Sequence, residues 1–313
     1  MKPKLVIVLG PTAVGKSELA LELALRTDGE IVNADSQQVY RYMDIGTGKP
    51  SQADRQRVPH HLIDVVNPDE EFNAALFRRL ATEAIEQIEH RQKTAVVCGG
   101  TGLYLKVLMH GLFTGPGQCP EIRKVLEEQI SEEGLATLYQ RLVAIDAGVT
   151  STIHPNDRQR IIRALEVYQS TGKPLSQWQK GHSFQEDPFD LLKIGLARER
   201  PELYDHINRR CDHMIHSGLL EEVRGLVSQG FGLELKPLRS VGYRQMGAVI
   251  EGAKNLADAS MEMKQETRKL AKRQLTWFRR DSEIRWFHPE AEKEEIFRTV
   301  SEFLRKNSDF WKL

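Results

Sequence analysis

The sequence has few cysteines, no excess of either charge and no long apolar run, and each absence disfavours a class of protein. Only three of its 313 residues are cysteine, Cys98, Cys119 and Cys211, and none forms a C-x-x-C pair. A disulfide framework and a zinc site are therefore disfavoured, and we expect a reducing, cytoplasmic setting. Basic and acidic residues both total 44, so net charge indicates no polyanionic partner. No apolar segment is long enough to cross a membrane, so no membrane partner is expected.

What the chain does contain is typical of a globular protein. Apolar residues make up 40% and charged residues 28%, which supports a sizeable core. The length suits one large domain with an insertion, or two domains.

A phosphate-binding motif lies near the start. The pattern G-x-x-x-x-G-K-[ST] follows the apolar run Leu5–Leu9 and precedes a helical pattern from Glu18 to Arg26. A strand, a glycine-bearing turn and a helix start would arrange backbone amides around an anion. This segment, called the P-loop below, comprises Gly10, Pro11, Thr12, Ala13, Val14, Gly15, Lys16 and Ser17. It predicts a bound phosphate chain, with Lys16 against the phosphate oxygens and Ser17 helping to hold a metal ion.

Two further predicted strands end in residues that bear on chemistry. The strand Glu30–Asp35 ends at Asp35, which we expect at the ligand edge of a parallel sheet or as a helix N-cap. The strand Thr94–Cys98 runs into Gly99–Gly102, where an ordinary P-loop ATPase or kinase would usually carry an acidic residue. Here the turn holds three glycines and Thr101, and we expect its backbone to lie open to a ligand.

The middle of the chain is helical and separates two α/β segments. Glycines and prolines between Gly111 and Pro120 mark a boundary, and Leu191–Leu196 returns to a strand pattern. We therefore predict an α/β fold, a P-loop NTPase-like parallel sheet flanked by helices. It would comprise residues 1–113 and 191–313, with a mainly helical insertion at 114–190.

Two basic clusters and a histidine pair remain open to interpretation. Arg158, Arg160 and Arg163 form one cluster, and Arg268–Arg280 holds another. Each is either a solvated helix face or a contact for a phosphate backbone. His60 and His61 are adjacent in a predicted strand and would face opposite ways, which favours structural hydrogen bonding over a shared metal.

Three functions fit these residues. A kinase or NTPase would bind a nucleotide such as ATP, and the nucleophile would attack its phosphorus. A transferase would bind a substrate with a diphosphate leaving group, and the nucleophile would attack the carbon of that substrate. The missing acid after Cys98 favours the transferase, with Asp35 as general base and Thr101 as a donor to the leaving oxygen. A nucleotide-binding RNA-interaction module would leave Asp35 and Thr101 without a role.

Over nearly its whole length the sequence resembles the bacterial tRNA dimethylallyltransferases, also called tRNA isopentenyltransferases. The resemblance rests on the P-loop and on six later segments in a fixed order. These are Asp35–Tyr40, Asp44–Pro50, Pro59–Asp64, Gly99–Tyr104, Asn156–Arg163 and Ser240–Gln245. It implies transfer of a dimethylallyl group from dimethylallyl diphosphate to N6 of adenosine 37, beside the tRNA anticodon.

The resemblance also implies roles for individual residues. The P-loop would hold the diphosphate, Lys16 would neutralise it, and Ser17 would help bind Mg²⁺. Asp35 would accept a proton or hydrogen bond from N6, and Thr101 would stabilise the departing oxygen. The insertion would clasp the anticodon stem-loop, and we expect a monomer without the zinc finger of many eukaryotic members. Implied tRNA contacts are Asp35, Ser36, Gln37, Gln38, Thr101, Arg123, Gln159, Arg160, Ile161, Ile162, Arg163, Arg239, Ser240, Val241, Gly242, Tyr243, Arg244 and Gln245.

Overall fold

A parallel sheet carries the P-loop at the end of a central strand. The computed structural model describes residues 2–112, 115–149, 152–182 and 187–305, and the sheet has six strands within them. They are β1 (Lys4–Leu9), β2 (Gly29–Asn33), β3 (His60–His61), β4 (Thr94–Gly99), β5 (Asp190–Leu196) and β6 (Arg285–Phe287). Their order is β3-β2-β4-β1-β5-β6, and every neighbouring pair is parallel. The predicted parallel α/β sheet is confirmed.

The apolar composition of the strands explains their central place. All five residues of Leu5–Leu9 are at most 1% exposed, because helices cover both faces of a parallel sheet. The first helices are α1 (Lys16–Arg26), α2 (Gln52–Arg57), α3 (Ala74–His90) and α4 (Gly102–His110). Asn73 starts α3 by accepting hydrogen bonds from the amides of Ala75 and Leu76.

Residues 110–186 form a compact helical unit, distinct from the α/β unit of residues 1–109 and 187–313. Its helices are α5 (Pro120–Glu133), α6 (Leu135–Ile145), α7 (Arg158–Thr171) and α8 (Leu175–His182). Their apolar faces meet in one core that includes Leu126, Leu138 and Leu165. Asp157 caps α7 through the Arg160 amide at 3.2 Å, and Gly172 ends it in the left-handed region at φ 69°.

Five more helices follow in the described residues of the α/β unit. They are α9 (Arg200–His216), α10 (Leu219–Ser228), α11 (Tyr243–Ile250), α12 (Leu256–Phe278) and α13 (Lys293–Arg305), and a 3₁₀ turn, Pro237–Arg239, precedes α11. Pro201 lies in the first turn of α9, where a missing amide costs no helical hydrogen bond. Among the described helices, none combines the length and the apolar character that a membrane span requires.

The histidine pair has the structural role that the sequence predicts. His60 Nδ1 lies 2.8 Å from the Val58 carbonyl oxygen, and His61 Nε2 lies 2.7 Å from the Glu30 carboxylate. Burial lowers the pKa of His60. The two rings are thus engaged with different partners rather than with one shared ion.

Candidate active site

The P-loop makes a tight turn between β1 and α1. Ala13 at φ 64° and Gly15 at φ 104° lie in the left-handed region, which turns the chain into the N-terminus of α1. A Cβ atom on Gly10 would lie 2.6 Å from the carbonyl oxygen of Leu196 in β5, so only glycine fits there. The loop therefore ends at unpaired helix amides and the positive end of a helix dipole, an arrangement that binds anions.

Lys16 places its ammonium group inside this loop. Its Nζ donates to the carbonyl oxygen of Pro11 at 2.6 Å. The pKa of Lys16 is lowered to about 8, mainly by burial; Cys98 and Asp35 oppose this shift, and Arg210 contributes to it. A bound anion would stabilise the charged form of this lysine.

A cavity of about 630 Å³ opens at the P-loop, within the α/β unit. The ends of β2 and β4 and the inner face of α9 form its other walls. Its lining includes Lys16, Ser17, Asp35, Gln38, Cys98, Gly99, His206, Arg210, His213 and Gln274. The structure thus brings a lysine, a serine hydroxyl and the Asp35 carboxylate into one chamber.

Asp35 follows β2 and is fixed by its neighbours. Its Oδ1 accepts a hydrogen bond from the Gln37 amide at 2.8 Å, and its own amide donates to Asn33 Oδ1 at 3.1 Å. Residues 36–41 form turns rather than a helix, so the N-cap alternative is wrong. The carboxylate is held by a local turn at the mouth of the cavity.

Thr101 lies beside this turn. Its Oγ1 accepts a hydrogen bond from the Ser36 amide at 3.0 Å, and its amide donates to the Ala34 carbonyl at 3.3 Å. A hydroxyl that accepts from one side keeps its own proton to donate elsewhere. Thr101 therefore keeps a hydroxyl proton to donate, and it follows Gly99, which lines the cavity, by two residues.

The glycines of Gly99–Gly102 allow close packing against other parts of the chain. A Cβ atom would lie 2.2 Å from the Ala34 carbonyl oxygen at Gly99 and 2.4 Å from Gln274 Nε2 at Gly100. At Gly102 it would lie 2.3 Å from the Trp277 ring. Close packing on the Cβ side thus requires glycine at these three positions, and Gly99 also lines the cavity, so an open backbone at this turn stays a prediction.

Arg210 is a cavity residue that the sequence did not single out. From α9 its guanidinium donates to Thr12 Oγ1 at 3.0 Å and to the Thr47 carbonyl at 3.2 Å. Burial lowers the pKa of this guanidinium, which nevertheless stays charged. It supplies a second cation next to Lys16. The sequence shows only a pair of arginines on an amphipathic helix, and helical periodicity alone does not identify which one faces a ligand.

A second arginine supports the P-loop from outside. The Arg198 side chain is 3% exposed and donates to the Val14 carbonyl oxygen at 3.3 Å. It also pairs with Glu202 and Glu290, and His288 lies 3.1 Å from Glu202. This network fixes the loop just before α1 begins.

The residues implied as tRNA contacts divide into exposed and buried groups. Gln159 and Arg160 are exposed on α7 of the helical unit, and Arg239 and Arg244 are exposed in the α/β unit. Ser36, Gln37, Ser240 and Val241 are partly exposed, as is Gln38, whose amide donates to the carbonyls of Thr47 and Gly48. These residues stay candidates for contact with a partner.

Four implied contacts are unsuitable because their side chains are buried in the protein. Ile161 and Ile162 are 0% and 2% exposed and belong to the core of the helical unit. Tyr243 and Gln245 are 0% and 1% exposed. The Tyr243 hydroxyl donates to Glu222 at 2.5 Å, and Gln245 accepts from the amide of Gly242, a buried residue at φ 95°. The prediction that these four side chains contact tRNA is therefore wrong. Gly242 has no side chain, and its positive φ shapes the turn before α11.

Arg123 and Arg163 are also engaged inside the helical unit. Both donate to the Glu166 carboxylate, Arg123 at 2.9 Å and Arg163 at 2.9 Å, and the Glu166 side chain is 0% exposed. Burial alone would raise the pKa of Glu166, but these hydrogen bonds hold it below its usual value. Arg163 also donates to the carbonyls of Pro116 and Gly117. Their guanidinium groups are therefore engaged in hydrogen bonds that stabilise the fold of this unit.

Fold and site together define an α/β protein of the P-loop type, in which the loop and the Asp35 carboxylate line one cavity. The model of the IPP transferase family matches residues 38–281, and the chain belongs to this family of prenyltransferases. The resemblance inferred from the sequence is confirmed.

Relatives cover nearly the whole chain. The tRNA dimethylallyltransferase of Geobacter metallireducens is 53% identical over 302 residues, which cover 96% of this chain and 98% of that protein. The tRNA isopentenylpyrophosphate transferase of Bacillus halodurans is similar in structure, with a TM-score of 0.73, 38% identity and 99% of both chains covered. A eukaryotic dimethylallyltransferase acting on tRNA has a TM-score of 0.83 at 27% identity, covering 97% of this chain and 80% of that one.

Proposed function

We propose that this protein transfers the dimethylallyl group of dimethylallyl diphosphate to N6 of adenosine 37 in tRNA and releases diphosphate. The observation that carries the proposal is the shared cavity of the P-loop lysine and Asp35, with Thr101 on the adjoining turn. A phosphate chain and a nitrogen nucleophile can meet in this chamber. The names of the relatives support the choice of a prenyl donor and a tRNA acceptor.

The diphosphate of the donor would lie on the P-loop. The amides at the start of α1 favour an anion there, and Lys16 and Arg210 bring two positive charges to the same wall. These charges stabilise the negative charge that the leaving group gains as its bond to carbon breaks.

The chemical step requires a base and a donor on opposite sides of the reacting carbon. N6 of the adenine attacks C1 of the dimethylallyl group, and the C1–O bond breaks with its electron pair going to the diphosphate. Asp35 accepts the proton or a hydrogen bond from N6, because an exocyclic amine is a weak nucleophile. Thr101 donates to the departing oxygen with the proton that its contact with Ser36 leaves available.

Magnesium is the metal that this site would suit. Ser17 is exposed in the first turn of α1, and Asp35 lines the same cavity, so the site offers hard oxygen donors. Ser17 would hold the ion together with phosphate oxygens and water. The bound ion would supply additional charge neutralisation for the diphosphate.

The tRNA would be held by exposed side chains of each unit. In the helical unit these are Gln159 and Arg160, and in the α/β unit they are Arg239 and Arg244. The target base must leave the anticodon-loop stack to reach a concave site. We propose the anticodon stem-loop as the partner, with the protein working as a monomer in the cytoplasm. The three free cysteines agree with a reducing compartment.

The test is a product assay. The protein is incubated with Mg²⁺, dimethylallyl diphosphate and unmodified tRNA, and the nucleosides are analysed by mass. We expect N6-dimethylallyl adenosine from position 37, and none from a tRNA carrying guanosine there. ATP consumption with a phosphorylated product, and no prenylated adenosine, would contradict the proposal and favour a kinase.

A further inference from the structure

Gln274 of α12 joins two loops that face the diphosphate. Its Oε1 accepts a hydrogen bond from the Thr12 amide at 2.8 Å, and its Nε2 donates to the Gly100 carbonyl oxygen at 2.9 Å. Only one orientation of the carboxamide satisfies both partners, since the reverse would set donor against donor and acceptor against acceptor. The side chain therefore acts as a directed link between the P-loop and the turn after β4.

The packing around this link leaves little room for movement. A Cβ atom on Gly100 would lie 2.4 Å from Gln274 Nε2, and one on Gly102 would lie 2.3 Å from the Trp277 ring. One turn of α12 thus rests on the glycine turn through two side chains. The same helix is anchored on its inner face by Ala271 and Phe278, which are 0% and 4% exposed.

Gln274 bonds residues next to the two groups proposed to act on the leaving diphosphate, the P-loop amides and the Thr101 hydroxyl. Thr12 belongs to the P-loop, and Gly100 directly precedes Thr101. Because Gln274 takes up the Thr12 amide, the phosphate oxygens would be met by the amides from Ala13 to Ser17. Pairing of β1 with β4 brings the two loops together, and the glutamine side chain then links that cradle to the residue before Thr101.

We infer that Gln274 is a positioning residue for prenyl transfer, which holds Thr101 at the distance from the P-loop that the departing oxygen requires. This inference rests on the proposed function. It assigns Gln274 no contact with the reacting atoms, because its effect passes through Thr101 and the P-loop. Misplacement of a reacting group by about 1 Å can cost roughly 10²-fold in rate.

The experiment compares Gln274→Met with Gln265→Met, the same substitution at an exposed position of the same helix. Turnover, the KM for tRNA and the melting temperature are measured for both variants and the wild type. We expect Gln274→Met to lower kcat by about 10- to 100-fold, with the KM for tRNA within about twofold of wild type. Gln265→Met should match wild type in all three.

A double-mutant cycle separates positioning from general destabilisation. In a Thr101→Ala background, Gln274→Met should lower kcat by less than about threefold, because the hydroxyl that it displaces is gone. If Gln274→Met folds poorly, kcat is compared for Gln274→Glu with and without the Thr101 hydroxyl instead. It keeps the acceptor for Thr12 but sets an oxygen against the Gly100 carbonyl.

Two results would overturn the inference: Gln274 variants that match Gln265→Met, or an equal loss of kcat with and without the Thr101 hydroxyl. Absence of prenylated tRNA with the wild-type protein would instead contradict the proposed function.

Discussion

At the scale of single residues, the proposed chemistry depends on opposite charges on the walls of one cavity. Lys16 and Arg210 bring positive charge to the P-loop wall, and Asp35 brings a carboxylate to the end of β2. The cations suit a diphosphate that gains charge as it leaves, and the carboxylate suits an amine that loses a proton. Each residue can therefore be tested for the step it serves.

Asp35→Asn should separate proton transfer from binding. The amide keeps an oxygen for the Gln37 backbone amide, so the turn is preserved, but it no longer accepts a proton from N6. We expect kcat to fall by about 10²-fold or more, with diphosphate affinity within about twofold of wild type. Steady-state kinetics and calorimetric binding of inorganic diphosphate measure the two effects. Asp69→Asn at an exposed site is the control, and wild-type turnover by Asp35→Asn would remove Asp35 from the reaction.

Lys16 should make diphosphate binding depend on pH. Burial lowers the pKa of Lys16 to about 8, so raising the pH through that value removes its charge in the free protein. Affinity for dimethylallyl diphosphate should then fall by up to about tenfold per pH unit above 8, until the pKa of the bound state is reached. Calorimetric titrations between about pH 7 and about pH 9.5 measure this. Lys16→Met should bind weakly with no such slope, and an equal slope in that variant would assign the titration to another group.

Individual site residues could be predicted where a local pattern carries the information. The P-loop follows from eight consecutive residues, and the places of Asp35 and Thr101 follow from strand ends. Arg210 and Gln274 could not be predicted, because they reach Thr12 across 198 and 262 residues of sequence. Only the packing of α9 and α12 brings them to the loop.

At the scale of elements, α7 shows how one basic helix serves two purposes. Arg160 is exposed, and within the described part of the chain its ion pair is with Asp157, 3.4 Å away within the same turn. Arg163, three residues later, points its guanidinium at buried Glu166 and two backbone carbonyls. The first arginine is available to a phosphate, and the second holds the helical unit together.

Substituting these two arginines should give opposite phenotypes. Arg160→Ala should weaken tRNA binding and reduce the slope of log affinity against log salt by about 1, with the unfolding free energy unchanged. Arg163→Ala should lower the unfolding free energy by about 2–3 kcal/mol, because Glu166 loses a charged hydrogen-bond partner. Filter binding at several salt concentrations and urea unfolding measure the two effects. An unchanged salt slope for Arg160→Ala would exclude it from the RNA interface.

The wrong residue assignments arise at this same scale. The segments that resemble the family consist of consecutive residues, but consecutive residues of a helix face different directions. Ile161 and Ile162 point into the core of the helical unit while Gln159 and Arg160 are exposed. Tyr243 and Gln245 are likewise buried, while Arg239 and Arg244 are exposed. The caps at Asn73 and Asp157, in contrast, could be read directly from residue type.

At the scale of the whole molecule, strand order explains why the site forms. β2, β4 and β1 are neighbours in the sheet, so their carboxyl ends place Asp35, Thr101 and the P-loop at one edge. The alternation of strands and helices predicted this parallel sheet, but the order of its strands depends on long-range pairing that no local pattern records. β3, with only two residues, is set by pairing to β2 rather than by its own length. In the proposed reaction, a diphosphate on the P-loop would share the cavity with the Asp35 carboxylate and would be expelled from carbon instead of being attacked at phosphorus.

The fate of the bridging oxygen tests this central claim most directly. Dimethylallyl diphosphate carrying ¹⁸O between C1 and phosphorus is incubated with the protein, Mg²⁺ and unmodified tRNA, and all products are analysed by mass. Attack at carbon places all of the ¹⁸O in the released diphosphate and leaves the prenylated adenosine unlabelled. If the label appeared instead in dimethylallyl alcohol with a diphosphorylated acceptor, or in dimethylallyl phosphate with a phosphorylated acceptor, the phosphorus would be the electrophile and the central claim would be wrong.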